Sequence, residues 1–332
     1  YNDDPSKMTI VWRTEEAVEV QLRWGHKGFE FNAGQKKITP CHKDLNIYKA
    51  TVTGLDPNTR YTYQLQIDDQ YELGMFFSAP KPDAEKVKFM VYGSTAAGLK
   101  EQKNLYSAMF WQMYEDPAYH SLLIHTGNWV ANIDSPSQWN HRFFSRDIES
   151  PGPRSLHRRM PIMGPVGARE EGAKAELFQK LFPYNYAGGP YHSFRYGPVH
   201  ITVMDAQTDY SEGSPQREWL IDDLKHATAP WKVVVYSGKE ALTSARPGDA
   251  SARESLEPVF DDWGVDVVID GGVSGYSTKS PRNVTYVGLG AEPVGEKPDR
   301  MYFGAVQIEK SGLRIEILDD SGTPVDVIEM EK

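Results

Sequence analysis

Small residues gather in five short segments of this chain, each directly after an apolar run. They are Gly93-Ser94-Thr95, Gly127-Asn128-Trp129-Val130-Ala131, Gly167-Ala168-Arg169-Glu170, Tyr236-Ser237-Gly238 and Gly271-Gly272-Val273-Ser274. Glycine lets a backbone N–H approach a ligand closely, so the question is which side chains beside it could do chemistry. Arg169 offers a planar guanidinium fork suited to phosphate, sulfate or carboxylate; the alternative is an ion pair with Glu170 or another acid. Ser94 and Ser274 carry the hydroxyls of nucleophiles, but a serine needs an adjacent base oriented by a third group. None of the five segments contains a histidine. His125, just before the second segment, comes nearest and reads as a structural residue, because no second histidine accompanies it. Asp205, Asp222, Asp223, Asp261, Asp262 and Asp270 follow no metal-ligand spacing, which leaves open a single-metal site assembled from such groups. Asp205 and Asp270 fall at strand ends and are expected to cap loops or to meet Arg169.

The elements that must position these segments divide in two. Residues 1–78 read as an all-β module. Met8-Thr9-Ile10-Val11-Trp12, Val18–Trp24, Tyr48–Val52 and Tyr61–Ile67 alternate apolar and polar side chains with turns between, the pattern of a β-sandwich. Residues 79–86, with Pro80 and Pro82, read as a stiff linker. From Val87 to the end, apolar runs alternate with helical stretches expected at 103–116, 136–148, 173–182, 215–227 and 252–263. Ser214-Pro215 opens the fourth as a cap followed by proline at the first helical position. Residues 301–330 return to strands and are expected to close one sheet. Strands alternating with helices predict an α/β core of two packed mixed sheets flanked by helices. Each of the five segments then falls at the C-terminal end of a strand, where such sheets place ligand-binding loops.

The collinear order of the segments resembles the purple acid phosphatases within the calcineurin-like metallophosphoesterases. Tyr191-His192-Ser193-Phe194-Arg195-Tyr196-Gly197-Pro198, Gln216-Arg217-Glu218-Trp219-Leu220 and Gly264-Val265-Asp266-Val267-Val268 extend the likeness over nearly the whole chain. The resemblance implies a metallophosphatase-like core behind an N-terminal sandwich similar to fibronectin type III. In that sandwich the hydroxyl of Tyr61 ties its strand back to the turn Leu55-Asp56-Pro57-Asn58-Thr59. It also implies two metals held at strand ends by carboxylates, an amide, a tyrosine and histidines, plus one phosphate-contacting histidine. This chain departs at every such position: Ser94, Asn128, Ala131, Ala168, Arg169, Gly238, Gly272 and Ser274 stand where those groups would be. Neutral side chains and a cationic Arg169 cannot offset the repulsion of two adjacent dications. The reading is therefore a catalytically inactive relative without catalytic residues, metal ligands or cofactor. Gly93, Gly127, Gly167, Gly271, Gly275 and Tyr276, which shape backbone, are all kept.

Composition narrows the partners. With 36 Lys and Arg against 46 Asp and Glu the net charge is −10, which disfavours nucleic acid. No apolar run is long enough to span a bilayer. A protein partner or self-assembly is expected, with a small anion at Arg169 as the alternative function and an active metal-dependent phosphoesterase using other ligands as the third. Cys41 is the one cysteine, so no internal disulfide framework exists. The start at Tyr1 and the sequon Asn283-Val284-Thr285 fit a secreted or cell-surface protein. Tyr184, Tyr186, Tyr191, Tyr196 and Tyr210 offer either a contact surface or core packing, and the acids around Asp319-Asp320 and Glu329-Met330-Glu331 read as solvated strand ends.

Overall fold

The computed structural model describes residues 1, 3–26, 31–40, 46–95, 99–144, 152–167, 175–238, 250–291 and 300–332, without the side chains of residues 99–101, 250, 251, 274 and 291. Cys41 lies outside them. Alternation builds the first unit: Met8, Ile10 and Trp12 turn inward from β1 (Lys7–Arg13), and Val20, Leu22 and Trp24 from β2 (Val20–Gly25). β1 pairs with β4 (Ile47–Thr53), and this two-strand sheet covers a four-strand one. The latter has the order β3 (Gly34–Ile38), β2, β5 (Arg60–Ile67), β6 (Gln70–Phe77). The Tyr61 hydroxyl accepts the Asp56 N–H at 3.0 Å, the strand-to-turn tie implied by the fibronectin-like reading. The segment after β6 is fastened: Asn58 N–H bonds to the Ala79 carbonyl, and Arg195 donates to that of Pro82.

The second unit has two six-stranded sheets face to face. One runs β18 (Pro324–Glu331), β17 (Gly312–Asp319), β16 (Tyr302–Glu309), β7 (Lys86–Tyr92), β8 (Leu123–His125), β9 (Ile162–Met163). The other runs β10 (His192–Tyr196), β11 (Val199–Val203), β12 (Trp231–Tyr236), β13 (Val267–Asp270), β15 (Thr285–Ala291), β14 (Ser274–Lys279). Parallel pairing within β7–β9 and within β11, β12, β13 and β15, with antiparallel strands outside, makes both sheets mixed. Strand period two divides the cores. Phe89 and Val91 of β7 enter the layer between the sheets, while Met90 and Tyr92 face α1 (Leu99–Glu115). On the far side, Leu220 and Leu224 of α5 (Pro215–His226) and Leu256, Val259 and Phe260 of α6 (Ala250–Asp262) cover Val234 and Val268. Ser214 caps α5, its hydroxyl accepting the Arg217 N–H at 3.4 Å.

Two expectations are corrected. The helix expected over 136–148 is α2 (Pro136–Gln138) followed by a π-helical turn at Trp139–Phe143. The wider turn lets Trp139 and Phe143 both pack onto Trp129 and Phe182; residues 145–148 lie outside the described ones. Asp319 is not a solvated end: it is fully buried and accepts the N–H groups of Ser321 and Thr323 at 2.9 and 3.0 Å, with Arg300 beside it. Of the two readings of the tyrosines, core packing holds for Tyr184, Tyr191 and Tyr196, which are buried, and the Tyr184 and Tyr186 hydroxyls donate to the carbonyls of Ile162 and Phe182. One short helix went unforeseen, α3 (Pro153–His157), ahead of β9, while α4 (Glu176–Leu181) lies inside the helix expected over 173–182.

Candidate functional site

β7, β8, β9, β12 and β13 end at Tyr92, His125, Met163, Tyr236 and Asp270, so all five segments leave C-terminal strand ends. The structure brings them together across both sheets. The Ser94 hydroxyl donates to the Asn128 carbonyl at 3.1 Å, and Thr95 N–H bonds to the same oxygen at 2.9 Å. The Asn128 amide reaches across to Ser237 Oγ at 3.4 Å, from a left-handed backbone with φ 55°. Gly167 packs against Asn128 so closely that a Cβ there would overlap its side chain, and the Gly167 carbonyl accepts the Gln207 amide at 2.9 Å. Gly271 lies against the Thr126 carbonyl, and the Thr126 hydroxyl donates to Leu289 O at 3.0 Å.

At the described ligand positions other than Ala131 the chain carries neutral groups that are enclosed or part of a strand backbone. Ser94, Asn128 and Ser237 are buried. The Gly272 N–H donates to Asp270 Oδ1 at 2.8 Å, and a Cβ built on Gly272 would overlap the carbonyl oxygen of Gly238. A Cβ on Gly238 would overlap the ring of Tyr236, whose hydroxyl bonds to that of Tyr210 at 3.2 Å. Ala131 is exposed at the rim, and Ser274 contributes backbone to β14 opposite Ala291. Ala168, Arg169 and the side chain of Ser274 lie outside the described residues, and with them any meeting of Arg169 with Glu170, Asp205 or Asp270.

The two carboxylates at strand ends cap loops. Asp205 accepts the Gln207 N–H at 3.1 Å and the Thr208 hydroxyl, and burial pushes its carboxyl up from the ordinary value. Among the described residues, no three His, Cys, Asp or Glu side chains are grouped to hold a metal ion. Two dications need clustered anionic oxygens and imidazoles, and this set of hydroxyls, amide and glycine backbone does not fit them.

His125 is fully committed to structure. Its Nδ1 accepts the Gly127 N–H at 3.1 Å, which puts the proton on Nε2. That proton goes to Thr95 Oγ1 at 2.9 Å, and the Thr95 hydroxyl passes its own to the Trp129 carbonyl at 3.0 Å. The ring stacks on Trp129 with centroids 3.7 Å apart. Burial, then the neighbouring His157, holds its pKa well below 6.5. Ser94 has no base in hydrogen-bond reach among the described residues, and its proton is already on a carbonyl. Sequence reasoning assigned no role to Thr126 or Ser237, although Ser237 lies inside a motif segment and Thr126 beside one; Gln207 and Gln102, which ties down the Thr95 carbonyl at 2.5 Å, carried no sequence signal.

With the geometry established, the relatives can be compared. Residues 1–79 match the family described as purple acid phosphatase, N-terminal domain. The chain is similar to the probable purple acid phosphatase 20 of Arabidopsis thaliana, 24% identical over 303 residues, covering 82% of this chain and 66% of that protein. It is also similar to the probable inactive purple acid phosphatase 27 of the same plant, 23% identical over 338 residues, covering 83% of this chain and 54% of that one. A solved purple acid phosphatase from yellow lupin (Lupinus luteus) seeds shares the fold with a TM-score of 0.76 at 15% identity, over 100% of this chain and 73% of that one. The chain thus spans less than two thirds of the length of these curated relatives.

Proposed function

We propose that this chain, which belongs with the purple acid phosphatases by its N-terminal domain and its fold, is a non-catalytic member kept for a structural or interaction role. The observation that carries the reading is the closure at Gly272 and Gly238: backbone and a tyrosine ring fill the space a ligand's Cβ would need. A metal-ligating histidine at either place would require the loop to move. The neutral, hydrogen-bonded Ser94 and Asn128 support it from the other sheet. The similarity to a probable inactive relative agrees with it. The test is to load the purified protein with iron, zinc and manganese, then assay an aryl phosphate with and without chelator; a bound metal pair with chelator-sensitive turnover overturns the reading.

The role we assign in place of catalysis is binding a protein partner or a second copy, outside the cytoplasm. Asn283 supports the location, being exposed in the turn between β14 and β15 where a glycan would meet no neighbour's core. Secreted from a glycosylating host, the chain should lose a glycan mass on enzymatic deglycosylation and in Asn283→Gln. An unmodified secreted chain would remove that support.

A further inference from the structure

The joint between the two units holds a cleft of about 410 Å³, inside the range of small-molecule sites. Its sandwich wall is Val11, Leu65, Ile67 and Leu73, and its core wall is Phe143 and Phe144. A smaller cavity of about 140 Å³ adjoins it through Val11, Tyr63 and Phe143. The joint is pinned rather than loose. The Arg158 carbonyl accepts both the Met75 N–H at 2.9 Å and the Tyr63 hydroxyl at 3.2 Å, and Arg154 pairs with Glu72 at 2.5 Å.

One cation in this lining is left over. Arg154 and Glu72 neutralise each other, whereas the Arg158 guanidinium, half-buried, has no hydrogen-bond or ion-pair partner among the described residues. The lining also carries the polar Arg13, Thr14, Asn140 and His141, and an unpaired guanidinium beside the apolar walls complements a single planar anionic group on an apolar body. Glu15 in the same lining offsets part of that one cation and disfavours a doubly charged ligand such as a phosphate monoester.

We infer that this interdomain cleft is a binding site for a small carboxylic acid with an aromatic or aliphatic body, held by Arg158. The site lies apart from the five-segment site and stands whether or not that one takes metals. The test is calorimetric titration of the full chain with 3-phenylpropionate, with its neutral amide and with inorganic phosphate. The acid should bind roughly ten-fold or more tightly than the amide, and phosphate should not compete. Arg158→Gln should abolish the preference while leaving the backbone carbonyl that joins the units. Leu73→Glu, at an exposed position on the mouth, should weaken the acid and spare the amide. Equal binding of acid and amide, phosphate binding as tight as the acid's, a preference surviving Arg158→Gln, or no heat at any soluble concentration of the acid would each overturn the assignment.

Discussion

Three histidines, the buried His125 and His192 and the part-buried His157, are held neutral by the core, and that makes the fold acid-sensitive. Burial lowers the pKa of both His157 and His192 from 6.5 to about 3, and that of His125 well below 6.5. In the unfolded chain each takes a proton below about pH 6.5, while in the folded chain it stays neutral to far lower pH. Unfolding therefore binds protons, and stability falls as pH drops from about 6.5 towards 3, with the full contribution present above that window. His192 gives the cleanest test, since neither ring nitrogen has a hydrogen-bond partner among the described residues. His192→Leu should be no less stable than the parent at pH 7.5 and should recover roughly 2 kcal/mol at pH 5. Urea unfolding at the two pH values measures it; an equal loss at both would contradict it. At this scale the sequence was informative about which residue types stand at the motif positions and silent about burial. His125 could be read as structural because it stood without a second histidine, but nothing in its neighbours announced the Thr95 and Gly127 bonds that use both its nitrogens.

Strand ends and their loops carry the same argument one level up. Apolar runs and glycines made the five loops legible, because a parallel strand buried on both faces reads as an unbroken apolar run. Where tertiary packing competed with local preference, the reading failed. Residues 139–143 form a π-helical turn because Trp139 and Phe143 are drawn into one aromatic cluster with Trp129, Phe178 and Phe182. Asp319 looked like surface acid, yet the hairpin between β17 and β18 needs an acceptor for its turn amides. The loops also explain why restoring a motif residue will not restore a site. Gly272→His should cost about 3 kcal/mol, through overlap with the Gly238 carbonyl and loss of the local close packing. Thermal unfolding with and without zinc checks this; unchanged stability together with tight zinc binding would show that the loop opens freely.

Across the whole molecule, the order of a β-sandwich followed by an α/β core with two mixed sheets was readable from the change in hydrophobic period after residue 86. The joint between the units was not. Its contacts come from residues far apart in the chain, such as Met75 with Arg158 and Glu72 with Arg154, and no local pattern marks them. The proposed partner is likewise unwritten in the sequence, because a binding surface needs no fixed spacing of residue types in the way a metal site does. On the proposed reading, the molecule is a packed frame without the anionic and imidazole donors that two metals require. Metal analysis of protein incubated with iron, zinc and manganese, paired with an aryl phosphate assay across acidic to alkaline pH, tests that claim most directly. The account predicts no stoichiometric metal and no chelator-sensitive turnover. Two metals bound per chain, with hydrolysis that a chelator abolishes, would contradict it.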